Sequence, residues 1–335
     1  MVMEIFPNDV LMFRESREFS AGEYHVAVTR EPLPHTIAGA IMANLYLKGG
    51  VDLINYNSDL KRWKPGFSIL GVFFAKGGKP LFPLPKDLVA IDNGVVYPLR
   101  PREVLGRVIV VAKSEGNETL RFKPAGGFLT LDALTRYLAG GSGPFNPVPT
   151  GDVYVLEERV GIGIDRDRRV VVEGLLYRTV NLRVREGVSL KVYFERGEDK
   201  VKEIIEEKGM LRLGGESRFA TYRFNGDEFP VKVNDRESRL IRLYFATPLI
   251  PGGGIREVLK ELKIKGRILK IFTGRKIAVT GWDMKAKMPK ETLYAYPPGT
   301  VVWVEADEPV KIGKPLKAGL MKEFGYGLVL PGVMG

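Results

Sequence analysis

One pattern constrains this chain more than any other: a β-rich run, a helix, a glycine-rich turn and a further β-rich run, which occur in that order twice. In the first half the runs from Phe67 to Val111 (FSILGVFFA, LVAIDNGVVYPL, RVIVVA) are cut by Gly-Gly, Asn-Gly and Pro turns, as in hairpins. In the second half, RLIRLYFATPLI leads through Pro251-Gly252-Gly253-Gly254 into a predicted helix. Helices are predicted over 37–47, 131–138, 199–208 and 255–262. For the first, Pro32 and Pro34 bar an earlier start, Thr36 serves as N-cap and Gly49-Gly50 stops it. In the third, Val201, Ile204 and Ile205 share one face and the charges the other. The stretch Ala139 to Gly151, AGGSGPFNPVPTG, reads as loop rather than as a domain boundary.

The β-α-β-β order with a closing strand predicts an α+β protein made of two ferredoxin-like (RRM-like) domains with hairpin insertions and glycine-rich loops, 1–225 and 226–335. At 335 residues the chain is long enough for two such cores.

Composition narrows the chemistry. There is no cysteine, which removes disulfides, thiolate metal sites and cysteine nucleophiles together. Glutamine is also missing while Lys, Arg and Glu abound, a bias that predicts a heat-loving source. No apolar run approaches the roughly 20 residues of a membrane span. Glu4 and Asp9 interrupt the N-terminal segment, so a cytoplasmic protein without membrane contact is expected. The net charge of +11 favours a polyanionic partner, nucleic acid first, through counterion release.

Five groups of residues are candidate contacts. Gly214 and Gly215 let backbone N–H groups approach a phosphate, with Arg218 beside them. Gly325-Tyr326-Gly327 adds an aromatic suited to stacking on an unpaired base. Arg14, Arg17, His35 and Thr36 gather at the start of the first helix, where free N–H groups favour an anion. Arg275 and Lys276 on one side, and Lys285, Lys287 and Lys290 on the other, bracket Trp282. Arg166, Arg168 and Arg169 lie at a predicted hairpin tip. Each has a structural rival: a helix stop, a packed aromatic, a cap with local ion pairs, a packed Trp, a solvated turn.

The segments VLMFRESREFSAGEY and PLPHTIAGAI, followed by ERVGIGID, EGLLY, LGGESR, GW and GYG in this order, resemble the RAMP superfamily of CRISPR proteins. The resemblance runs from Asp9 to Gly332 and is strongest to the third-subunit family of the Cmr (type III-B) effector complex. It implies a non-catalytic RNA-binding and scaffolding subunit without a cofactor. Its partners would be the repeat-derived 5' tag of a guide RNA, the large polymerase-like subunit and the repeating backbone subunit. It also implies that the arginine-rich hairpin acts as a thumb against guide RNA.

The enzymatic alternative is a metal-independent, guide-RNA-processing endoribonuclease of the same superfamily, for which only His25 and His35 are available, with no acid–base partner fixed by spacing. Metal catalysis is poorly served: the one Asp-x-Asp, Asp165-Arg166-Asp167, sits in the hairpin tip, where carboxylates usually form turns. No P-loop occurs.

Overall fold

The computed structural model describes residues 1–13, 31–90, 95–104, 107–112, 123–165, 167–168, 170–232, 236–283 and 287–334. The protein is a mixed α/β molecule, mostly antiparallel sheet with few helices. A seven-stranded sheet runs in the spatial order Lys208–Arg212, Phe219–Asn225, Val2–Pro7, Val188–Arg196, Ser68–Lys76, Lys79–Pro83, Phe128–Thr130. A five-stranded sheet has the order Gly266–Phe272, Val301–Ile312, Arg236–Phe245, Leu328–Val333, Leu316–Lys317. Between consecutive strands of the first sheet, a four-stranded sheet and a long two-stranded ribbon are inserted; the ribbon pairs Tyr154–Ile164 with Val171–Val184.

The first helix spans Pro34–Leu47, three residues earlier than expected. Pro34 takes the first turn, where its fixed φ suits the helix and its missing N–H costs nothing. Leu33, not Thr36, is at the N-cap, and no side chain caps the turn. The helix expected over 199–208 is Glu198–Ile205. Tyr222 donates its hydroxyl to the Ile205 carbonyl, ending the helix. Gly209 is therefore a strand residue; a Cβ there would meet the Tyr222 hydroxyl at 2.8 Å.

Alternation along the first strand separates two cores. Met3 and Ile5 join Ile37, Ile41, Leu45, Val192 and Phe224 under the first helix. Val2, on the opposite face, belongs with Phe73, Tyr193, Ile241, Phe245 and Trp303. The second core draws residues from both sheets, and the first takes in Met321, Phe324 and Tyr326 from the loop that precedes the last strand. A buried polar knot ties the halves as well: Asp87 accepts from Tyr137 Oη (2.6 Å) and Trp303 Nε1 (2.9 Å), with Arg242 at 3.8 Å. Arg242 is 1% exposed and stacks on the Tyr137 ring, so losing Asp87 would strand a buried cation. No helix among the described residues is long and apolar enough to cross a membrane.

Candidate nucleic-acid interface

The Gly214-Gly215 turn joins two antiparallel strands, Lys208–Arg212 and Phe219–Asn225, rather than following a helix. Its glycines serve a close approach within the chain. Gly214 has φ +83°, and a Cβ on it would stand 2.5 Å from the Met12 carbonyl oxygen, which accepts the Gly215 N–H at 2.8 Å. Arg218 bonds Asp9 at 3.3 Å and lies 3.5 Å from Glu216.

Two further arginines, outside the five candidate groups, meet the same Asp9 carboxylate. Arg159 and Arg183, on facing strands of the ribbon, pair with Asp9 and with Glu157. The guanidiniums hold the Glu157 carboxyl down at about 2. Three arginines against Asp9, Glu157 and Glu216 leave this corner close to neutral, so it contributes little to attracting phosphate. The signal available in the sequence was the strand alternation that puts Glu157, Arg159 and Arg183 on one ribbon face.

His35 and Tyr326, predicted in separate groups, are brought together. His35 Nε2 donates to the Thr280 carbonyl at 3.0 Å, which leaves Nδ1 as the acceptor of the Tyr326 hydroxyl at 2.6 Å. The rings stack with centroids 6.0 Å apart. Burial, aided by nearby Lys290, brings the imidazole down to about 4, against the backbone bond to Thr280. The ring is thus neutral, with both nitrogens engaged inside the protein.

Tyr326 has no exposed surface, so the expectation that it stacks on a base gives way to its rival, a packed aromatic. Its glycines fit that role: a Cβ on Gly325 would meet Ile69 at 2.9 Å, and one on Gly327 would lie 1.8 Å from the Ala318 carbonyl oxygen. Thr36 is half-buried, its N–H bonded to Leu33. Arg14, Arg17 and His25 lie outside the described residues, as do Arg166, Arg169 and Lys285. Arg168 is exposed at the ribbon tip, where Asp165 accepts its N–H and that of Asp167 in a tight turn.

Trp282 behaves differently. It stands on a short hairpin, paired with Pro289, and is 56% exposed. Arg275, Lys276 and Lys287 are exposed; Lys276 Nζ lies 5.3 Å from the Tyr296 ring, and Arg275 and Lys287 make no ion pair among the described residues. Lys290 turns inward instead, its Nζ 4.7 Å from the Trp63 ring, and burial lowers its pKa. Residues 251–290 carry eleven Lys and Arg against three Asp and Glu. Most of the chain's positive excess is therefore in this stretch.

The family model for CRISPR-associated protein Cas_Cmr3 matches residues 3–334. The chain belongs to the Cas_Cmr3 family. No curated protein matches it in sequence. A chain in the cryo-EM structure of the type III-B Cmr-beta bound to cognate target RNA is similar, with a TM-score of 0.56 at 19% identity over 90% of this chain and 86% of that one. A chain of the Cmr-beta structure with target RNA and AMPPnP, state 1, gives 0.54 at 20% identity and the same coverage. At these identities the likeness speaks for the fold. Among the described residues of this Cas_Cmr3 member, no group of three or more His, Asp or Glu is placed to hold a metal ion.

Proposed function

We propose that this protein is a non-catalytic, RNA-binding and scaffolding subunit of a type III-B CRISPR effector complex, the third subunit in the RAMP superfamily. The observation that carries the RNA reading is Trp282, an exposed aromatic in the most basic stretch of the chain, with exposed Lys287 on its own hairpin and exposed Arg275 seven residues before it, neither cation in an ion pair among the described residues. A ring free on its face, with cations to follow the backbone, is how single-stranded RNA is held without a duplex groove. The RNA would be the 5' repeat tag of the guide, and the protein partners the large polymerase-like subunit and the repeating backbone subunit.

Two ferredoxin-like halves, 1–225 and 226–335, accord with the strand orders. Numbering the principal strands of each half in chain order, the first sheet contains 4-1-3-2 and the second, read from its other edge, the same. The first half has both crossover helices and the second keeps one, Ile255–Glu261. The ribbon is the proposed thumb: Leu156, Val160, Ile162 and Ile164 are exposed along one face, interrupted by Glu158, which pairs with Arg178, and Arg168 is at the tip; the apolar run from Val160 to Ile164 is suited to press on bases of the guide.

The test is a titration of guide RNA labelled at its 3' end, with and without the 5' tag, by the purified chain alone and with the co-expressed large subunit, with product gels alongside. Tag-dependent, salt-sensitive binding without cleavage is expected. Cleavage lost on changing His25 or His35 would make this a processing nuclease, and no RNA binding even with the partner would leave only a scaffold.

A further inference from the structure

The five-stranded sheet has an open edge. Gly266–Phe272 pairs with Val301–Ile312 on one side, and no described strand pairs with its other side. Gly266, at φ +152°, starts this strand hard against its neighbour; a Cβ would stand 2.2 Å from the Glu305 carbonyl oxygen. Beside the edge runs the helix Ile255–Glu261, and between them lies a groove of about 1170 Å³. Its floor is apolar, with Ile255, Leu259, Ile264, Ile268 and Ile271. Its rim is cationic: Arg256, Lys260, Lys263, Lys265 and Arg267. Lys260 is paired with Glu257 and Arg267 with Glu305, while exposed Arg256, Lys263 and Lys265 make no ion pair among the described residues.

We propose that this groove receives an extended acidic peptide of a protein partner, added as a further strand to the sheet. An edge strand offers alternating N–H and C=O groups, which another peptide backbone matches and a phosphate chain, having only acceptors, does not. A strand presents alternate side chains to opposite sides, so apolar residues meet the isoleucine floor while carboxylates meet the rim. The same cations repel a second copy of this edge and select for acidic sequence. RNA is the weaker occupant, because the floor is aliphatic and the one aromatic at its margin, Tyr296, already carries Lys276. The edge strand is 7 residues long, which sets the length of peptide that fits.

The full chain is titrated by fluorescence anisotropy with a labelled peptide of about nine residues that alternates valine and glutamate. Controls are the valine–lysine peptide, the valine–glutamate peptide N-methylated at alternate residues, and an oligouridine. The acidic peptide binds, and affinity falls at least about tenfold with lysine in place of glutamate, with N-methylation, and in the Lys263→Glu/Lys265→Glu variant. Both lysines are exposed, and Lys263→Gln/Lys265→Gln gives a smaller loss in the same direction. Failure of the acidic peptide to bind, or binding indifferent to N-methylation or to the two lysines, overturns the proposal. So does oligouridine binding that falls in the Lys263→Glu/Lys265→Glu variant while peptide binding stays. None of these results bears on Trp282, so this proposal and the RNA reading can fail separately.

Discussion

Gly325-Tyr326-Gly327 and Gly281-Trp282 look alike in the sequence, an aromatic beside glycine with cations nearby, yet one is interior and the other surface. Around Tyr326 the space that glycine leaves is filled by the chain itself, by Ala318, Ile69 and His35. Around Gly281 a Cβ would meet only the Lys290 side chain, at 3.8 Å. Glycine next to an aromatic therefore marks a close approach without saying what approaches. Where the chain supplies the neighbour, the motif holds a core together; where nothing does, the ring is left for a ligand.

The largest effect that separates the two regions is expected at Gly327. Its φ is +69°, and Gly327→Ala forces both a left-handed alanine and a clash with Ala318, at a cost of roughly 3 kcal/mol or more, read by denaturant unfolding. The matching change Gly281→Ala leaves stability within about 0.5 kcal/mol.

Next is a pH effect confined to the buried region. His35 titrates near 6.5 when unfolded and at about 4 in the fold. Below pH 6.5 the unfolded chain takes up a proton that the native protein refuses, so stability falls with pH down to about 4 and is flat below it. The loss is on the order of 3 kcal/mol. The difference between the unfolding free energies of wild type and His35→Gln, followed from pH 7 to 4, isolates this slope. A parallel pair of curves would mean that His35 takes up its proton as readily in the native state as in the unfolded chain.

Trp282→Ala is expected to weaken single-stranded RNA binding by about 1–3 kcal/mol, as for loss of one stacked base, with unfolding unchanged because the ring is largely solvated. Tyr326→Phe should do the reverse: about 1–2 kcal/mol of stability lost, since His35 Nδ1 is left without its donor, and RNA affinity kept. Smallest is Arg275→Gln, which lowers the slope of log affinity against log salt by roughly 0.7.

Local features were legible in the sequence. The helix Leu131–Leu138 lies where its pattern placed it, with Thr130 accepting the Ala133 N–H as N-cap. Bounds set by distant side chains were not: Tyr222 stops a helix 17 residues before it, and no local signal announces that. Long-range pairings were hidden for the same reason. His35 and Tyr326 are 291 residues apart, and only the packing of the last segment under the first helix makes them neighbours. The Gly214-Gly215 turn reads as a phosphate site because Arg218 is visible beside it as a charge, while nothing local announces that Asp9, 209 residues away, pairs with it. What sequence cannot supply is which opposite charge a fold delivers to each arginine.

The most direct test of the RNA reading is the salt dependence of single-stranded, 5'-tagged guide RNA binding to wild type and to Trp282→Ala. The account predicts a wild-type slope of several times about −0.7, one increment per phosphate contact, and a Trp282→Ala line displaced to weaker binding by roughly tenfold at an unchanged slope. Coincident lines, or a slope near zero, would contradict it.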